Sequence, residues 1–203
     1  MPRVKQDHKG DRRAEVLRAA RTAFVRDGGA AFSVRAVAKD LGISLGHLQH
    51  FFPTRQDLLF GMLDFTTAQY WATYDAFVTV PGDSPERRFH RVVDYFVRDA
   101  EDPEVAGFFV EFWSLTARDP QARARLQTLY DRNQRELAHC IAAVRPDLSG
   151  DRVGELAAQS VMVIDGYIVH GFSADTSRVR AGAVRAGVAA LLLGMVEAAG
   201  ADR

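Results

Sequence analysis

Three times in this chain a hydrogen-bond-accepting side chain stands directly before a proline: Ser84-Pro85, Asp102-Pro103 and Asp119-Pro120. The acceptor can take the free N–H groups of a helix's first turn. Proline suits the first helical position because its missing N–H would be unpaired there anyway. The three pairs predict helices over about 84–100, 103–117 and 120–144. Arg145-Pro146 to Gly150 reads as a loop, and two long apolar helices follow over about 151–172 and 177–199, split by Ser173 to Thr176. The chain has no apolar/polar alternation of the kind a half-buried strand needs, no internal repeat and no low-complexity tract. It reads as all-α.

The first eighty residues carry the same kind of punctuation at shorter intervals. Ala14, Val16/Leu17, Ala20, Phe24 and Val25 fall at helical spacing within Asp11 to Asp27, and Gly28-Gly29 is a stop. Ser33 can cap a short helix from Val34 to Leu41. Gly42-Ile43-Ser44 makes a tight break, with Ser44 as the next cap, and Leu45 to Phe52 is a second short helix halted by Pro53. Thr54-Arg55-Gln56-Asp57 has a capping-box pattern and opens a long helix to about Val78. The expected organisation is a compact three-helix head over residues 1–54 and a larger helical body over 55–203.

With 203 residues, 47% of them hydrophobic and 26% charged, the chain can bury a core without metals or cross-links, and wholesale disorder is excluded. The single Cys140 cannot form an internal disulfide, which fits a reducing compartment. The basic first thirteen residues have no apolar core behind them, and the apolar stretch Ala186 to Ala201 is too short to span a bilayer and contains Glu197. A cytoplasmic protein without membrane contact is expected.

The net charge of zero conceals a split. Residues 1–60 hold eleven Lys/Arg against six Asp/Glu, which is +5, and the other 143 residues carry fifteen against twenty, which is −5. A basic head on an acidic body is the pattern of a polyanion-binding module, although solvated surface charge produces the same count.

The local pattern within the basic segment narrows this choice. A helix-turn-helix that reads DNA needs two short helices locked by a tight turn, with one face of the second exposed. Val37, Ala38, Leu41, Ile43, Leu48 and Phe51/Phe52 can form the lock, and Ser44, Gly46, His47, Gln49 and His50 would then face outward. Small or hydrogen-bonding side chains of this kind suit groove edges and phosphates. A helical hairpin with a polar outer face would have the same spacing.

The run Phe32-Ser33-Val34-Arg35-Ala36-Val37-Ala38-Lys39-Asp40-Leu41-Gly42-Ile43-Ser44, followed by Gly46-His47-Leu48-Gln49-His50-Phe51-Phe52-Pro53-Thr54-Arg55, resembles the DNA-binding domain of the tetracycline-repressor (TetR) family. The resemblance covers about Arg12 through Leu59, while the body is similar in architecture alone. It implies that Ser33 and Arg35 hold phosphates, that Ser44, Gly46 and His47 approach bases, and that Gln49 and His50 touch bases or phosphate. Thr54 and Arg55 would complete the contact set, with Arg55 on a phosphate. Three positions depart from the family pattern. Gln49 stands where Tyr is usual and could bond adenine instead, Arg55 replaces Lys, and Leu45 occupies a commonly polar position, where it meets a thymine methyl or packs. Arg3, Lys5 and Lys9 form either a minor-groove arm or a frayed terminus.

In the body, the resemblance implies a homodimer built from the last two helices, with Met162, Asp165, Gly166, Val169, Val188, Leu191, Leu192 and Met195 at the interface. Two buried helices of a monomer would look similar. Thirteen aromatic residues lie between Phe60 and Trp113, and most must be core. The family's effector cavity forms among the corresponding helices. The expected lining is Met62, Phe65, Trp71, Phe96, Phe109, Phe112 and Trp113, with Tyr167 as a polar contact, and it would suit a flat or greasy small molecule.

Enzyme and metal readings find little support. Glu136 and His139 have the spacing of half a di-iron carboxylate site, but the partner motif is absent. No P-loop, G-x-S-x-G, G-x-G-x-x-G or H-E-x-x-H occurs, so no catalytic residue, metal site or cofactor is expected. The sequence reading is a DNA-binding transcriptional regulator that a small effector releases from a palindromic operator. An activator of the same fold, or a helical carrier or enzyme with an incidental helix-turn-helix, are the alternatives.

Overall fold

The computed structural model describes residues 4–99, 101–173 and 181–200, with residues 4–10, 99, 172, 173 and 181 described by their backbone. Among the described residues there are nine helices and no strand: α1 (Val4–Ala31), α2 (Val34–Asp40), α3 (Leu45–Phe51), α4 (Arg55–Val78), α5 (Pro85–Asp99), α6 (Pro103–Thr116), α7 (Pro120–Val144), α8 (Gly150–Ser173) and α9 (Ala181–Glu197). The cap-plus-proline pairs start α5, α6 and α7 as the sequence predicts. Asp102 Oδ1 accepts from Glu104 N at 2.8 Å, and Asp119 Oδ1 accepts from Gln121 N at 2.8 Å. The expected split between the last two helices lies mostly outside the described residues, as does Arg3. Lys5 and Lys9 belong to α1, whose backbone is already helical from Val4 instead of fraying before Asp11.

The chain forms two compact units, Met1–Trp71 with Gly107–Arg125, and Ala72–Ala106 with Leu126–Arg203. The first reaches well past the expected head boundary at residue 54 because its core recruits later helices. Val16, Leu17, Ala20 and Phe24 of α1, Val37 and Ala38 of α2 and Leu48 of α3 share one buried cluster with Leu58, Leu59 and Met62 of α4, Phe108 and Phe112 of α6, and Ala122 of α7. Phe24 sits edge-on to Phe32 and Phe108 at centroid distances of 5.5 and 5.9 Å. Gly61 lets α4 lie against Phe52, since a Cβ there would come within 2.7 Å of the ring.

In the second unit α5 packs against α8 and α9. Phe89, Val92, Val93 and Val97 of α5 are fully buried, as are Leu137 and Ile141 of α7, and Leu192 and Val196 of α9. Arg145, just past α7, closes the end of α9. Its Nη1 donates to the carbonyls of Val196, Glu197 and Ala199 at 3.0, 2.9 and 2.8 Å, while Asp147 takes its Nε and Nη2. A cation placed on the last carbonyls of a helix satisfies acceptors that have no partner within the helix.

Candidate nucleic-acid interface

The two short helices of the first unit are fixed by their ends. Ser33 is the N-cap of α2 and its Oγ accepts from Ala36 N at 3.2 Å. Ser44 is the N-cap of α3 and accepts from His47 N at 3.2 Å. Between them Leu41 N bonds Val37 O, Gly42 N bonds Lys39 O and Ile43 N bonds Ala38 O at 3.0–3.1 Å, with Gly42 at φ 63. A positive φ is cheap for glycine alone, so this residue sets the angle at which α3 leaves α2. As caps, both serine oxygens act as acceptors, and each hydroxyl keeps its proton for a further partner.

On α3, Leu48 is fully buried while Gly46, His47, Gln49 and His50 are exposed and Leu45 is half-buried. The expected reading face is therefore one continuous surface. His47 stacks on Phe51 at 5.6 Å and His50 meets the same ring edge-on at 5.7 Å, so both imidazoles rest on a hydrophobic base. Arg35 of α2 is exposed. Thr54 exchanges hydrogen bonds with Asp57: Asp57 N donates to Thr54 Oγ1 at 3.0 Å and Thr54 N to Asp57 Oδ2 at 3.0 Å. The Thr54 hydroxyl also donates to Asp57 Oδ2 at 2.7 Å. Arg55, the first residue of α4, is exposed but partly engaged within the chain. Its Nε donates to Phe32 O at 3.0 Å and its Nη2 to Gly29 O at 2.5 Å.

The eight expected effector-contacting residues divide between the units. In the first, Met62 and Phe112 are unexposed members of the core cluster, Phe65 and Phe109 pack against it half-buried, and Trp113 lies 6.4 Å from Phe109. Trp71 is buried beside Tyr70. In the second unit Phe96 stacks on Tyr74 at 5.6 Å and 16°. The Tyr167 hydroxyl donates to Glu101 Oε1 at 3.0 Å, and burial together with that carboxylate pushes its pKa up to about 12.

On α8 and α9, Met162 is 68% exposed, Leu191 62% and Val169 44%. Gly166 is exposed, with open space where a Cβ would stand. Val188 and Met195 are half-buried, whereas Leu192 is fully buried, inside its own unit's core. Asp165 is half-buried, and burial pushes its pKa up to about 6 against the opposing effect of a hydrogen bond from Tyr130. It is thus tied to its own chain.

Sequence reasoning missed several polar residues. Tyr74, 1% exposed, donates from its hydroxyl to Glu136 Oε2 at 3.1 Å. Glu136 therefore serves a tyrosine, while His139 is exposed. Arg185 bridges Asp94 at 3.1 Å and Glu101 at 2.7 Å, linking α9 to α5 and to the turn before α6. Acid and base residues on amphipathic helices do not announce such pairings, because their partners lie far away in sequence. Glu111 on α6, which accepts from Gly29 N at 2.6 Å, is another case. Burial raises the Cys140 thiol pKa, which keeps it protonated. Among the described residues, no group of three or more His, Cys, Asp or Glu could hold a metal ion, and no helix is long and apolar enough to cross a membrane.

A buried lock, a glycine turn and a capped second helix with a polar outer face make a helix-turn-helix. Comparison with known families agrees: residues 16–62 match the bacterial regulatory proteins of the tetR family, and residues 85–197 match the family described as BetI-type transcriptional repressor, C-terminal. The chain belongs to the tetR family and is a transcriptional regulator, not an enzyme. It is 27% identical over 162 residues to the HTH-type transcriptional regulator BetI of Vibrio campbellii (strain ATCC BAA-1116), covering 79% of this chain and 80% of that protein. The corresponding regulator of Vibrio parahaemolyticus serotype O3:K6 (strain RIMD 2210633) is 26% identical over 166 residues, with the same coverage of both chains. A TetR transcription regulator from Haloarcula marismortui ATCC 43049 has the same fold, with a TM-score of 0.77 at 17% identity, covering 93% of this chain and 98% of that one.

Proposed function

We infer that the protein is a homodimeric repressor, released from a palindromic operator when a small hydrophobic or aromatic effector binds. The observation that carries this reading is the exposed polar face of α3, with its Ser44 cap and buried Leu48. Ser33, Arg35, Thr54 and Arg55 contact phosphates and fix the register. Ser44, Gly46 and His47 approach base edges, Gln49 and His50 read bases or phosphate, and Leu45 meets a thymine methyl.

One recognition helix binds DNA weakly, and two placed about 34–36 Å apart reach successive major grooves. The exposed apolar side chains Met162, Val169 and Leu191 support self-association through α8 and α9, with Gly166 allowing close approach. The half-buried rings Phe65, Phe109 and Trp113 support an aromatic effector contact. Such a ligand shifts DNA affinity by its preference for one conformation, typically about 1–3 kcal/mol.

Selection of a random duplex pool by the purified protein at two salt concentrations tests the reading. The expected result is an enriched palindrome with a steep salt dependence. His47→Ala and Gln49→Ala are expected to relax sequence discrimination, and Arg35→Ala to weaken all duplexes alike. No enrichment, and no loss on substituting the α3 face, would refute it.

A further inference from the structure

Glu111 lies 82 residues along the chain from Gly29, yet its Oε2 accepts the Gly29 N–H at 2.6 Å. The contact falls where α1 breaks: Gly28 has φ 77 and ψ 154, and the chain then makes one more turn, closed by Phe32 N to Gly28 O at 3.0 Å. A carboxylate accepting a backbone N–H forms a charge-assisted bond, stronger than one between neutral groups. The two glycines make room for it. A Cβ on Gly29 would lie 3.1 Å from Glu111 Oε2 and 3.4 Å from the Phe24 ring, while Gly28 needs its positive φ.

Arg55 holds the same turn by its carbonyls. Its Nη2 donates to Gly29 O and its Nε to Phe32 O, while its Nη1 donates to nothing among the described residues and the residue remains exposed. An anion on α6 and a cation at the start of α4 therefore grip one short turn, and the cation keeps one edge free. An arginine already held by two carbonyls has lost side-chain freedom before a ligand arrives, so the ordering cost of a phosphate contact falls.

We propose that Glu111 is a positioning residue for DNA binding: by fixing the Gly28–Phe32 turn it aims the free Nη1 edge of Arg55 at a phosphate. The proposal rests on the DNA-binding reading above. It makes a helix outside the helix-turn-helix a determinant of affinity without giving it any contact with DNA.

The test is a double-mutant cycle on the full chain, read as affinity for the selected duplex and for a scrambled one, well below the thermal midpoint of every variant. Glu111→Ala is expected to weaken both duplexes about tenfold, with an unchanged ratio between them, and Glu111→Gln, which keeps an acceptor, about threefold. Arg55→Ala is expected to cost about tenfold, and the pair Glu111→Ala/Arg55→Ala no more than about twofold beyond that. Unchanged affinity in Glu111→Ala, a fully additive pair, or a lowered melting temperature with undiminished binding per folded molecule would each overturn the proposal. If Glu111→Ala does not fold, Glu111→Gln takes its place in the cycle. A wild-type chain that binds no duplex defeats the DNA-binding reading and the proposal together. A wild type that binds, with variants that bind equally well, defeats the proposal alone.

Discussion

The two compact units distribute polarity in opposite ways. The first buries an apolar cluster, with the hydroxyl-bearing Thr66 also buried and Glu111 bonded to Gly29 N, and keeps the hydrogen-bonding residues of α2 and α3 at or near the surface, tethered by caps. The second buries or half-buries polar groups, Tyr74 on Glu136, Tyr167 on Glu101 and Asp165 with Tyr130, and leaves Met162, Val169 and Leu191 in solvent. A polar surface over an apolar core needs no further burial, which fits the DNA contact proposed for it. Three large apolar side chains exposed on α8 and α9 are the surface that the proposed self-association would cover.

The largest expected effect tests the packing of the first core. Phe24→Ala removes a fully buried ring that contacts Phe32, Phe108 and Phe112, and is expected to cost about 3–5 kcal/mol in urea unfolding. A loss below about 1 kcal/mol would mean that this core is looser than its packing indicates.

Next comes the apolar face. Met162→Glu combined with Leu191→Glu is expected to weaken self-association by about a hundredfold while leaving helix content intact, as read by light scattering and circular dichroism. An unaltered oligomeric state would break the contrast between the units, because these exposed apolar side chains would then serve no self-association.

Asp165 tests the buried polarity. Its pKa is about 6 in the folded chain against 3.8 in the reference state, so the fold holds a proton that the unfolded chain has released between those values. Stability from this residue is therefore lost as pH rises from 3.8 to about 6, and the full cost of a half-buried carboxylate persists above that. Asp165→Asn is expected to gain about 1–2 kcal/mol near neutral pH and nothing in acid below the lower value. Equal gains at both pH values would show that the effect is not ionisation. The smallest expected effect is at the cap: Ser33→Ala leaves Ala36 N without its acceptor and should cost about 1 kcal/mol in thermal unfolding.

What could be read in advance follows the range of the interactions. Caps, prolines and glycine stops act within four residues, so α2 through α7 appear within one or two residues of the expected bounds. The exposed side of α3 was legible for the same reason, since Gly46, His47, Gln49 and His50 all lie within two residues of the buried Leu48. Leu191 and Leu192 are adjacent and chemically alike, and only the tertiary packing sends one outward and the other inward. Glu111 was illegible because an acid on a helix has many solvent-facing explanations, and its partner is a backbone N–H with no signature in the sequence. The same holds for Arg55: the family resemblance points to its charge, while its grip on Gly29 and Phe32 depends on where α1 breaks.

The membership of the first unit also bears on how this regulator can be recombined. A cut after residue 54, the head boundary expected from the sequence, would strip the head of Leu58, Met62, Phe108 and Phe112, and of the carboxylate that holds its first helix. Grafting this head onto a foreign body therefore means transplanting two separate stretches of sequence, one of them taken from the middle of the chain. Evolution faces the same constraint when it shuffles genes: the reading head and the helices beneath it have to be inherited together.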